Sequence, residues 1–114
     1  MLWSYQLNRT NEIQNATLID LQSGMSHITV DTEKHTVTFG SSASIGEVGN
    51  ALAKHGPAVV GGTCAVLRLG GVMLGGGYGY LSSQYGLVAG NLTSSTVVLA
   101  GNLHASSFKI TTDL

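Results

Sequence analysis

The sequence has one cysteine, one proline and only 10% charged residues, and each scarcity closes a class of function. A single thiol, Cys64, allows no disulfide within the chain and no cysteine-based metal site. Five basic and six acidic residues are scattered and leave a net charge of -1, which makes nucleic acid and anionic membranes poor partners. No Gly-Lys pair occurs, so the phosphate loop of nucleoside triphosphatases is excluded. His27, His35, His55 and His104 have no metal-ligand spacing, and neither paired carboxylates nor a serine-centred triad is visible. No residue is therefore assigned as catalytic or as a metal ligand. Met1 to Arg9 lacks a basic leader and a long apolar stretch, so no signal peptide is read in this chain.

What the chain has in abundance is glycine. Nine of its sixteen glycines fall between Gly56 and Gly79, in the same stretch as Cys64. Glycine loses the most backbone freedom on folding, so this density points to a surface where a Cβ would collide with something, a flat or phosphorylated cofactor being the natural candidate. The Rossmann fingerprint does not fit, because counting from Gly75 through Gly77 puts Tyr80 at the third glycine position. A broad glycine-lined backbone remains, able to hold a pyrophosphate with N–H groups alone. The small-residue spacing of Gly71 and Gly75 also occurs in membrane helices, but the glycine density, Pro57 and Arg68 argue for buried loop and short strand.

Around that stretch the pattern predicts a small mixed domain. Thr17 to Leu21 reads as a short strand. Ile28 and Val30, then Val37 and Phe39, alternate with polar neighbours about a polar turn, which predicts a β-hairpin with one wet face. Ser44-Ile45-Gly46-Glu47 has capping-box spacing and opens a helix with Ile45, Val48 and Leu52 on one face, stopped at Gly56-Pro57. Thr96 to Ala100 reads as a buried strand that turns at Gly101-Asn102 toward Leu103 to Ser106. A hydrophobic content of 43% is high for this charge, as if one surface faced another domain. Glycosylation sequons begin at Asn8, Asn15 and Asn91, the last beside an apolar segment.

Taken in order, Ile19-Asp20-Leu21, Val30-Asp31, Ile45-Gly46-Glu47-Val48, Gly62-Thr63-Cys64, Gly70-Gly71, Gly75 to Gly79, Leu81-Ser82-Ser83 and Tyr85-Gly86-Leu87 resemble the FAD-binding domain of the vanillyl-alcohol oxidase / p-cresol methylhydroxylase (PCMH-type) superfamily. Within it, the chain is most similar to the berberine-bridge-enzyme-like FAD-linked oxidases. The resemblance implies an α+β fold with α/β-type subdomains, a partial PCMH-type domain over residues 17–114 behind a non-matching segment 1–16. It also implies FAD as cofactor, held by Gly62, Thr63, Cys64, Gly70, Gly71, Gly75, Gly76, Gly77, Tyr78, Gly79, Ser82, Tyr85, Gly86 and Asn91. Cys64 matches the cysteine that in this group bonds to C6 of the flavin ring.

Three departures from the family stand out. Arg68 stands where the family has a small glycine, which predicts crowding of the cofactor, and Gly90 replaces an aspartate before Asn91. The segment that supplies a second, histidine link to the flavin is absent before Asn15. Thr112-Asp113-Leu114 resembles the opening of a further family motif. These features imply a fragment of a flavin-dependent oxidoreductase, secreted in full-length form. The full enzyme would carry hydride from a C–OH or C–N bond of a small-molecule substrate to flavin N5, with a missing substrate domain of the same chain and no membrane partner. The alternative is a truncated, non-enzymatic remnant that no longer binds FAD.

Overall fold

The computed structural model describes residues 19–97 and the backbone of residues 107–111. Its sheet has four antiparallel strands in the order β1-β2-β4-β3: β1 (Ile28–Asp31), β2 (Thr36–Gly40), β3 (Leu92–Ser95) and β4 (Ser107–Thr111). The predicted hairpin is β1 and β2, with Ile28 opposite Phe39 and Val30 opposite Val37. Its turn is closed by Asp31, whose carboxylate accepts from the Lys34 backbone N–H at 3.0 Å and from Lys34 Nζ at 2.9 Å. β2 is central, paired with β1 on one side and β4 on the other, so Val37 and Phe39 are fully buried and even Thr36 is covered.

The helix α1 (Ile45–Ala53) begins as the capping box predicts. Ser44 Oγ accepts from the Glu47 N–H at 3.2 Å, and Glu47 Oε2 accepts from the Ser44 N–H at 2.7 Å. Val48 and Leu52 go into the core with Val37, Phe39, Val60, Leu69, Met73 and Val88, each such side chain contributing about 1.5–3 kcal/mol on burial. The helix ends where His55 and Gly56 donate to Leu52 O, with Gly56 in the left-handed region at φ 91°.

Beyond this point the chain departs from expectation. The glycine-rich stretch contains a six-residue helix, α2 (Leu69–Leu74), rather than only loop and strand. Leu69 and Met73, four apart, are buried, and Gly70 is buried between them because a Cβ there would lie 2.5 Å from Ser41 O. Bare backbone lets this helix pack directly on the turn after β2. A second short helix, α3 (Ser82–Tyr85), and a 3-10 turn (Ala89–Asn91) lead into β3. Residues 19–21 form no strand: Gln22 N–H bonds to Asp20 Oδ1 at 2.8 Å, and Ile19 is 75% exposed. The strand expected at Thr96-Val97 is also absent, since β3 ends at Ser95 and Val97 is exposed. Thr17, Leu18, Val98 to Ala100, Leu103 to Ser106, the segment 1–16 and its two sequons lie outside the described residues. Among the described residues, no helix is long and apolar enough to cross a membrane.

Candidate functional site

Two loops flank α2, and both carry predicted site residues. The first runs from Pro57 to Arg68 and bears Gly62, Thr63 and Cys64; the second, from Gly75 to Leu81, bears Gly75 to Gly79. They touch where Gly61-Gly62 passes Tyr78-Gly79: a Cβ on Gly79 would run into the Gly61 carbonyl, and one on Gly62 would lie 2.7 Å from Ile45 Cδ1. Gly62 and Tyr78 to Gly79 are thus brought together from either side of α2. Thr63 and Cys64 lie just beyond the contact, both exposed, and Cys64 is a free thiol.

The second loop has its own scaffold. The carbonyls of Gly76 and Gly77 each accept at 3.0 Å, from the N–H groups of Ala89 and Val88, and Gly77 has φ 66° with Val72 and Val88 packed where a Cβ would go. Ser82 Oγ accepts from the Gly79 N–H at 2.9 Å. Asn91 Nδ2 donates to the carbonyls of Tyr85 at 3.0 Å and Leu87 at 2.9 Å, and so ties off the Tyr85-Gly86 turn. Ser82 and Asn91 therefore shape the loop with their side chains, and the sequon nitrogen of Asn91 is already engaged.

The glycines separate into two groups. Gly70, Gly77 and Gly79 are required by the chain's own packing against Ser41, Val88 and Gly61. Gly71 and Gly86 have nothing within 4 Å of a would-be Cβ, and Gly75 meets only Val72 O at 3.7 Å. Gly71 is an exposed helical position, where glycine costs about 1 kcal/mol relative to alanine and makes no close approach to the other described residues in return. Beside the loops, between α1 and residues 57–62, lies an apolar cavity of about 350 Å³, lined by Ile45, Leu52, Pro57, Val59, Gly62 and Tyr80.

Arg68 does not crowd this surface as the sequence predicts. Its Nη1 donates to Ser42 O at 2.9 Å and to Glu47 Oε2 at 3.3 Å, which turns the side chain back onto the cap of α1. With both side chains over a third exposed, the ion pair contributes about 0–1 kcal/mol, and the carbonyl bond is the firmer of the two. The Ser44 N–H and hydroxyl first, and then the Arg68 charge, hold the Glu47 carboxyl below its ordinary value.

Comparison with known proteins gives this geometry a context. A family model described as an FAD binding domain matches residues 5–103. A xylooligosaccharide oxidase of Thermothelomyces thermophilus is 38% identical over 85 residues, covering 73% of this chain and 17% of that protein. The FAD-linked oxidoreductase pgmH of Aspergillus terreus is 40% identical over 83 residues, covering 73% of this chain and 17% of its own length. Berberine bridge enzyme-like D-1 of Nicotiana tabacum is 33% identical over 85 residues, covering 71% and 14%. Among solved structures, a variant of Phl p 4 described as a glucose oxidase superimposes with a TM-score of 0.72 at 26% identity, over 76% of this chain and 23% of that one. The xylooligosaccharide oxidase of Myceliophthora thermophila C1, solved with xylobiose, gives 0.69 at 27% identity, over 79% and 24%. The chain spans less than a fifth of the length of these curated relatives. With a family-model match over residues 5–103 and relatives among FAD-linked oxidoreductases and oxidases, the chain, mixed α+β in architecture, belongs to the FAD binding domain family.

Proposed function

We propose that this chain forms the glycine-lined wall of the FAD site of a flavin-dependent oxidoreductase whose whole form oxidises a C–OH or C–N bond of a small molecule. The observation that carries the reading is the open backbone at Gly71 and Gly75, bare where nothing among the described residues needs it to be. Such a surface fits a flat cofactor that presses on main chain. When bound, FAD supplies the redox chemistry by taking hydride at N5.

The residues of this chain do the holding. The Gly71, Gly75 and Gly76 backbone would line the cofactor, Ser82 and Asn91 keep the second loop in shape, and Cys64 would form a thioether to the ring, the thiol and ring hydrogens leaving as protons while their two electrons pass to the flavin and from it to molecular oxygen. The exposed, solitary thiol two residues past Gly62 supports that last assignment. Relatives named as glucose and xylooligosaccharide oxidases put a carbohydrate hydroxyl first among substrates to try.

Leu74, Tyr78 and Tyr80 are 87, 76 and 86% exposed, an apolar face that a substrate domain of the same longer protein would cover. We extend the proposal to secretion of that protein, supported by the sequons at Asn8 and Asn15. Trypsin cuts after Lys54 and Arg68 and isolates Cys64 on peptide 55–68. Mass spectrometry of the FAD-loaded protein is expected to find the flavin mass on that peptide, and a free thiol in a flavin-loaded sample would overturn the assignment of Cys64.

A further inference from the structure

The turn that carries Cys64 has no apolar anchor of its own. Thr63, Cys64, Ala65 and Val66 are all exposed, Val66 at 76%. Polar contacts with the start of α1 hold it instead. Ile45 N–H donates to Leu67 O at 3.0 Å, Gly46 N–H donates to Ala65 O at 2.9 Å, and Leu67 N–H closes the turn on Cys64 O at 3.2 Å. The first free amides of the helix are thus filled by the carbonyls of the Cys64 turn.

Arg68 follows that turn directly. Its Nη1 lies 2.9 Å from Ser42 O and 3.3 Å from Glu47 Oε2, the same oxygen that accepts from Ser44 N and Ser44 Oγ at 2.7 Å. One guanidinium nitrogen therefore reaches the residues on both sides of the Ser44 cap, while Ser44 and Arg68 also form an isolated antiparallel bridge. This places the side chain as a clamp between the turn and the helix.

We propose that Arg68 is a positioning residue: by pinning the Cys64 turn to the cap of α1, it sets the orientation in which the thiol meets the flavin. The inference rests on the reading of Cys64 as the flavin-linked residue, and two measurements separate the two. The first is amide hydrogen exchange on the full chain. In Arg68→Gly, the Ile45 and Gly46 amides are expected to exchange about tenfold faster, while Val48, bonded to Ser44 O inside the helix, keeps its rate. Arg68→Lys retains a cation and is expected to fall between; it replaces the glycine variant should that one lose protection at Val48 as well.

The second measurement, on the whole-length protein after incubation with FAD, is flavin fluorescence on a denaturing gel, normalised to total bound flavin. The covalent fraction is expected to drop several-fold in Arg68→Gly and to recover in part in Arg68→Lys. Unchanged exchange at Ile45 and Gly46 overturns the clamp. Faster exchange with an unaltered covalent fraction overturns the positioning role. A whole-length wild-type protein that binds FAD with no covalent fraction overturns the Cys64 assignment and the thiol-orienting role together, and exchange then decides whether Arg68 clamps the turn.

Discussion

Gly71 opposes stability and function at a single residue. Its missing methyl would meet nothing among the described residues, and it occupies a helical position, so Gly71→Ala is expected to stabilise the fold by about 1 kcal/mol. The same methyl would intrude on the proposed cofactor surface. A rise in thermal midpoint with a fall in FAD affinity, measured by flavin fluorescence titration, is the expected pair of results, and unchanged affinity would remove Gly71 from the site. Gly79→Ala is expected to behave oppositely and lose stability outright, because the Gly61 carbonyl occupies the space of its Cβ. The clustering of these glycines was legible in the sequence. Their division into packed and open was not, since it depends on Ser41, Gly61 and Val88, whose approach is set by the tertiary fold.

Among the elements, α1 was the most legible because its signals are local: a serine and a glutamate three apart, apolar residues at helical spacing, and a glycine-proline stop. The hairpin was legible for the same reason, its alternation lying within β1 and β2. α2 was missed because paired glycines oppose a helix locally, and its stability comes from burying Leu69 and Met73 and from the approach of Gly70 to Ser41. The cap of α1 also predicts a pH dependence. Glu47 has a folded pKa below its ordinary 4.5, so its contribution is complete above that value and is lost as pH falls through the lower folded one. Thermal midpoints of wild type and Glu47→Gln are expected to differ at neutral pH and converge in acid; Asp31, lowered chiefly by Lys34, titrates in both proteins and cancels in the comparison.

For the whole molecule, the relevant quantity is apolar surface left uncovered. Leu74, Tyr78, Tyr80 and Val66 stand in solvent beside the glycine loops, an arrangement suited to a much longer protein, as the relatives are. We expect the 114-residue chain alone to hold FAD only weakly, and desalting after incubation should strip most noncovalent flavin absorbance. Stoichiometric noncovalent retention would show that the chain by itself supplies the site.

The strand order has a consequence for how the chain is made. β2 is completed only by β4, with Thr36 facing Thr111, and every glycine loop and both flanking short helices are synthesised between the two. On the ribosome, a core strand must therefore wait with one row of amides and carbonyls unpaired until β4 has emerged. During that interval a second nascent chain on the same message offers an identical edge. Translation speed across the glycine-rich stretch, and chaperone access to the open strand, would then govern how much of the protein escapes co-aggregation at birth.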